Sequence, residues 1–205
     1  MSPSSFLSEI RLGLRAAYHG LWGRTEVVAA VPNDRGMALR SFLGPVLASP
    51  WFFFERWMAY RLPVWLYIPY NPPRLIFLEI IYELQSWVMF PLVVFALTSV
   101  LGGRQNFWRF LTLTNWAMLV LLPFTILISL QDWVLVGGSG LVLMVTSLIV
   151  AAIVLVASYR LLKLSLDVTW GRAALMFAVG ILVSVTMDQI LPGILGLPSE
   201  SLFYD

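Results

Sequence analysis

The sequence predicts an all-α membrane protein: a polytopic helix bundle of about five transmembrane helices, preceded by an amphipathic helix lying in the interface. Three observations predict it. Hydrophobic residues make up 60% of the 205 residues and charged residues 12%, where soluble domains hold about 45–50% and about 25%. A water-soluble surface cannot be built from that composition. Apolar windows of about 20 residues, the length a helix needs to cross a hydrocarbon core about 30 Å thick, recur five times. Basic residues fall on alternate connections, as the positive-inside bias requires.

The first 40 residues are the polar segment. Phe6, Ile10, Leu14, Ala17 and Leu21 follow one helical face, while Arg11, Arg15 and His19 follow another. Ser4 or Ser5 can cap the start. A helix of this kind rests its apolar face in the acyl boundary and its arginines, Arg11 and Arg15, on anionic headgroups. Docking of the same face on the protein's own spans or on a partner is an equal alternative. The segment is too polar for a secretory signal, so the N-terminus is expected to be retained.

The membrane domain covers residues 41–191, with spans over 41–62, 79–101, 110–130, 140–162 and 173–191. The first is interrupted by Pro45 and Pro50 and carries Glu55 and Arg56, so a re-entrant or broken helix competes with a full crossing. The second is polar only in its first two turns. The third has no charge, and the interior of the fourth has none between Leu141 and Tyr159. The fifth carries Asp188 and closes at Pro192. The connectors hold the expected turn residues: Pro69 to Pro73, Gly102-Gly103, and Gly137-Gly138-Ser139-Gly140. Residues 192–205 form a short outer tail.

Orientation follows from the basic residues, twelve Arg and one Lys. Arg11, Arg15, Arg24, Arg35, Arg40, Arg104, Arg109, Arg160, Lys163 and Arg172 share one side of a five-span chain. Arg56, Arg61 and Arg74 fall on the other. This places the N-terminus in the cytoplasm and the C-terminus in the periplasm of a cell inner membrane. Trp22, Trp57, Trp65, Trp108, Trp133 and Trp170 fall at or near span ends, where indole prefers the headgroup level.

Polar groups inside spans are expensive and therefore candidate sites. Glu79 and Glu83 share a face of the second span, but Glu83 lies roughly 27 Å from the inner end at Leu101, counting about 1.5 Å per residue. That is the outer rim, and Asp132 and Asp188 fall there too. Glu79, Glu83, Asp132 and Asp188 are thus a candidate outer acidic cluster. It is either a cation site or, as the rim position favours, a solvated layer paired with Arg61 and Arg74. Asn115, six residues inside the third span and level with Thr98 and Ser99 of the second, is a candidate interhelical hydrogen-bond partner. Small residues four apart, such as Ser147 and Ala151 or Gly180 and Ser184, suit close helix packing.

Several chemistries are excluded. There is no cysteine and one histidine, His19, so disulfides, thiolate or histidine metal sites, intramembrane haem ligation and Ser-His catalysis have no residues to use. Nucleotide-binding loops and H-E-x-x-H are absent. A net charge of +2 gives no nucleic-acid footprint. No metal and no cofactor is expected.

The stretch Trp87-Val88-Met89-Phe90-Pro91-Leu92, Leu101-Gly102-Gly103-Arg104, Phe107-Trp108-Arg109-Phe110 and Thr114-Asn115-Trp116, within a five-span layout, resembles bacterial members of the Yip (Ypt-interacting-protein) superfamily. The resemblance runs from about Glu79 to Leu130 and is architectural elsewhere. It implies a small inner-membrane protein. The D-L-Y element of the eukaryotic branch is missing, and with it any implied role in vesicle trafficking.

The function expected from these features is non-enzymatic: contact with membrane lipids and other integral membrane proteins, as an accessory subunit or organiser of an inner-membrane complex. The alternative is a small transporter or channel-like protein using the acids of the second span. A water-filled path would favour the second, a dry bundle the first. A reporter fused after Asp205 is expected to be active on the non-cytoplasmic face. Cytoplasmic reporter activity would overturn the five-span order.

Overall fold

The computed structural model describes residues 3–59, 72–134 and 140–195, and every described element is helical. Eight α-helices follow in order: α1 Pro3–Leu21, α2 Thr25–Ala29, α3 Arg35–Arg40, α4 Leu43–Ala59, α5 Pro72–Leu101, α6 Phe107–Val134, α7 Gly140–Leu166 and α8 Trp170–Leu195. Five stretches are long and apolar enough to cross a membrane: Arg35–Phe54, Glu83–Leu101, Arg104–Leu127, Met144–Leu166 and Trp170–Leu191. The protein is an all-α, multi-pass membrane bundle. Arg61, Trp65, residues 69–71 of the expected connector, the 137–139 turn and the tail beyond 195 lie outside the described residues, as do the side chains of Ser4, Ser5, Glu55, Arg56, Trp57, Arg74 and Trp133.

The prolines of the first span act at two different places. Pro45 has no N–H for the carbonyl of Ser41 and its ring crowds that carbonyl. The chain breaks there into α3 and α4, with Gly44 N bonding Ser41 O at 2.8 Å across the turn. Pro50, by contrast, sits inside α4. The carbonyl it leaves open, on Val46, accepts from the Ser49 hydroxyl at 2.8 Å, so the helix continues past it.

α5 to α8 run 30, 28, 27 and 26 residues, several more than a crossing needs. Their joined ends form what we call the basic end, where Arg104, Arg109, Arg160, Lys163 and Arg172 gather. The α5 to α6 turn is tight because Gly102 and Gly103 take φ of +89° and +91°, a region that L side chains rarely adopt. It is held by bonds to distant segments: its own Asn106 Nδ2 donates to Leu166 O at 3.1 Å. Asn33 Nδ2 donates to Gln105 O, and the Asn33 side-chain oxygen accepts from Arg109 N at 3.0 Å. Arg109 Nε donates to Val31 O at 2.9 Å.

α1 packs on α6 and α7, α4 on α6, and α5 along α8. The buried face of α1 is Gly13, Ala16, Ala17, Gly20 and Leu21, with Phe6, Ile10, Leu12 and Leu14 half-buried. Of the two readings of this helix, the structure realises docking on its own spans. The face is rotated from the one its large apolar residues suggest, because the small residues let the backbone approach. A Cβ on Gly13 would overlap the Trp116 indole, and one on Gly20 would come within 2.6 Å of Leu161 and 2.8 Å of Val28. Arg11 and Arg15 are exposed.

Gly13→Leu is therefore expected to undock α1 by overpacking, at a cost of about 1–3 kcal/mol. Limited proteolysis within residues 1–24 and a lower melting midpoint in detergent would report it. Leu7→Ala, at a position 65% exposed, should change neither.

Candidate functional site

Two places in the fold bring side chains together in ways that bear on function. The first is one turn of α6. Asn115 is 2% and Ser41 1% exposed. Asn115 Nδ2 donates to Ser41 Oγ at 2.9 Å, and that hydroxyl donates onward to Ala38 O at 2.7 Å. The Pro45 break makes this possible by turning Ser41 toward α6. Gly44 completes it, since a Cβ there would collide with the Asn115 carbonyl. Asn115 is thus an interhelical polar contact, but its partner is Ser41. Thr98 and Ser99 each donate to a carbonyl of their own helix, Phe95 O and Ala96 O, at 2.6 Å.

Beside this turn lies an ion pair. Arg40 Nε and Nη2 donate to the two carboxylate oxygens of Glu9 at 2.8 and 3.0 Å, and Asp34 lies 3.9 Å from Nη2. The planar fork of arginine matches a carboxylate in this geometry. It ties α1 to α3, so the arginine next to the buried Ser41 is neutralised locally.

The second place is a cleft. α5 lies along α8 and α6 along α7, and the two pairs meet at the basic end through rings. Phe95 and Phe107 have centroids 4.8 Å apart, Phe90 and Phe110 6.3 Å, Tyr159 and Phe177 5.9 Å. The Tyr159 hydroxyl donates to Trp170 O at 2.9 Å. Next to this aromatic floor is a side-open cavity of about 320 Å³, lined by Phe90, Phe110, Met118, Leu121, Leu155 and Ser184 among others. Its walls are almost wholly apolar. Ser184 Oγ is buried and has no hydrogen-bond partner among the described residues.

The candidate outer acidic cluster is only partly described. α5 runs unbroken through Glu79 and Glu83. Glu83 is half-buried and accepts from the Trp87 indole Nε1 at 2.6 Å, one turn along its own helix. The side chains of Glu79, Asp132 and Asp188 lie outside the described residues. Gln85, near these acids on the second span, has both amide atoms buried without a partner among the described residues. Among the described residues no group of His, Cys, Asp and Glu is placed to hold a metal.

At the basic end cations sit on rings. Arg104 lies 5.1 Å from the Phe95 centroid, Lys163 5.2 Å from Trp170 and Arg35 5.8 Å from Trp108. Trp22 and Trp170 are about half exposed, whereas Trp116 is buried against α1. Comparison with protein-family models, curated proteins and solved structures finds no match.

Asn115→Ala is expected to lower stability in detergent by about 1 kcal/mol, the usual scale of a hydrogen bond between spans. In a double-mutant cycle Ser41→Ala should add little to it. Thr98→Val and Ser99→Ala should be near neutral, and a loss at Thr98 equal to that at Asn115 would contradict this pairing.

Proposed function

We propose that the protein is a non-catalytic integral membrane protein that works through contacts with lipids and other integral membrane proteins. Its place would be as an accessory subunit or organiser of an inner-membrane complex. The reading sets the basic end and α1 in the cytoplasm and the C-terminus in the periplasm, by the positive-inside bias. The resemblance to bacterial Yip proteins between Glu79 and Leu130 goes with such a role and brings no activity of its own.

One observation carries this reading. The polar groups around the α6 turn are tied into structural bonds, Asn115 to Ser41, Ser41 to Ala38 and Arg40 to Glu9, and Gln85 and Ser184, buried without a partner among the described residues, carry no charge. The opening left between the helix pairs is apolar. A proton or ion path needs polar groups facing a cavity, whereas an apolar cavity and broad apolar faces suit lipid and helix contacts. Leu92 on α5 and Leu182 on α8 are 52% and 66% exposed, as lipid- or partner-facing side chains are.

The transport reading keeps one observation in its favour: Glu83 is a half-buried acid inside a membrane-length helix. Two measurements separate the readings. Purification in mild detergent with a photo-crosslinker at Leu182 is expected to yield a stoichiometric adduct to an integral membrane protein. Proteoliposomes of the purified chain are expected to show no proton or cation flux. Flux that Glu83→Gln abolishes would overturn the proposal.

A further inference from the structure

The cavity between the helix pairs has dimensions that select its occupant. Its lining runs along α6 from Phe110 to Leu121 and along α8 from Phe177 to Val185, about 16 Å and 12 Å at 1.5 Å per residue. Half of a hydrocarbon core about 30 Å thick is about 15 Å. The cavity is thus about as long as one leaflet is deep. A volume of about 320 Å³ over that length is several-fold below that of a helix about 10–12 Å across, so a transmembrane helix of a partner does not fit, whereas a single hydrocarbon chain, far thinner, does.

Charge says which lipid brings the chain. The cavity's inner limit lies toward the basic end, about 5 Å along α6 at Phe110 and about 10 Å along α8 at Phe177, and Arg104, Lys163 and Arg172 stand at that end. None of the three has an ion pair among the described residues. Arg104 and Lys163 are already posed over Phe95 and Trp170, and Arg172 reaches the Gly102 turn. Cations held at the headgroup level attract an anionic phosphate.

We infer that the cleft between the α5–α8 and α6–α7 pairs is a binding site for an anionic phospholipid of the leaflet at the basic end. One acyl chain lies in the cavity and the phosphate rests on Arg104, Lys163 and Arg172. This deepens the lipid-contact reading above and rests on its assignment of a non-catalytic role. The bound chain supplies the dispersion contacts that Phe90, Met118, Leu121 and Leu155 otherwise lack across the gap, and so joins the two helix pairs.

The test is photolabelling of the purified full chain in detergent with phosphatidylglycerol carrying a diazirine on one acyl chain, read by peptide mass spectrometry. Adducts are expected on Met118 or Leu121, both half-buried in the cavity wall. Adducts confined to outward side chains such as Leu148 and Leu182 would overturn the site. Ser184→Phe fills the cavity and removes a hydroxyl that has no partner, so it is expected to fold with an unchanged or higher melting midpoint and to lose cavity adducts at least tenfold. Undiminished labelling in that variant overturns the site, and if it fails to fold the wild-type adduct map decides alone. Lys163→Gln with Arg172→Gln should bring phosphatidylglycerol labelling down to the level of a phosphatidylcholine probe. Equal labelling by both probes in the wild type would overturn the anionic headgroup. Flux in proteoliposomes would fail the functional reading and leave the adduct map standing, so the two failures are distinguishable.

Discussion

One turn of α6, Leu113 to Ala117, is where α1, α4 and α7 converge, and the arrangement of the basic half of the bundle depends on it. Trp116 accepts the backbone of α1 at Gly13, Asn115 takes the hydroxyl that the Pro45 break presents, and Leu113 and Ala117 share a buried cluster with Ala157 and Leu161 of α7. These contacts are of different kinds and act together. In a bilayer the apolar surface of a helix is as well solvated by lipid as by another helix, so spans associate through close backbone approach and hydrogen bonds. That turn supplies both within five residues.

The same reasoning explains why the far half of the bundle is more open. α5 has its close partner in α8, where Gly180 faces Phe90 and a Cβ would come within 2.6 Å of the ring. Toward α6 its contacts among the described residues lie near the basic end, the Phe90–Phe110 and Phe95–Phe107 rings together with Val94, Leu97 and Leu101 of the same cluster. Beyond those rings, no small-residue face or interspan hydrogen bond joins the two pairs among the described residues. The gap is therefore a consequence of where the sequence invests small and polar side chains.

Much of the site was hidden because its signals are relational. Asn115 is visible in sequence as a polar residue inside a span, but level alone points equally to Thr98 and Ser99. Those hydroxyls satisfy themselves on their own helix, as Ser and Thr in spans do when no partner approaches. Ser41 could be named only by seeing that the chain breaks at Pro45. In α1, periodicity of large apolar residues marks an amphipathic helix, yet the packed face centres on Gly13, Ala16 and Gly20. Small residues carry almost no hydrophobic signal, and their value appears only when a partner backbone arrives.

The sequence by itself determined the class and its frame: helices only, five stretches of membrane length, and basic residues gathered at one end. These follow from composition and segment length, because a bilayer accepts a backbone only when its polar groups are bonded within the segment. Tertiary structure alone decided which helices touch, that Arg40 is held by Glu9 thirty-one residues away, and that the opening between α5 to α8 is apolar. Those depend on the matching of shapes between distant segments, a property of pairs of surfaces that no single segment carries.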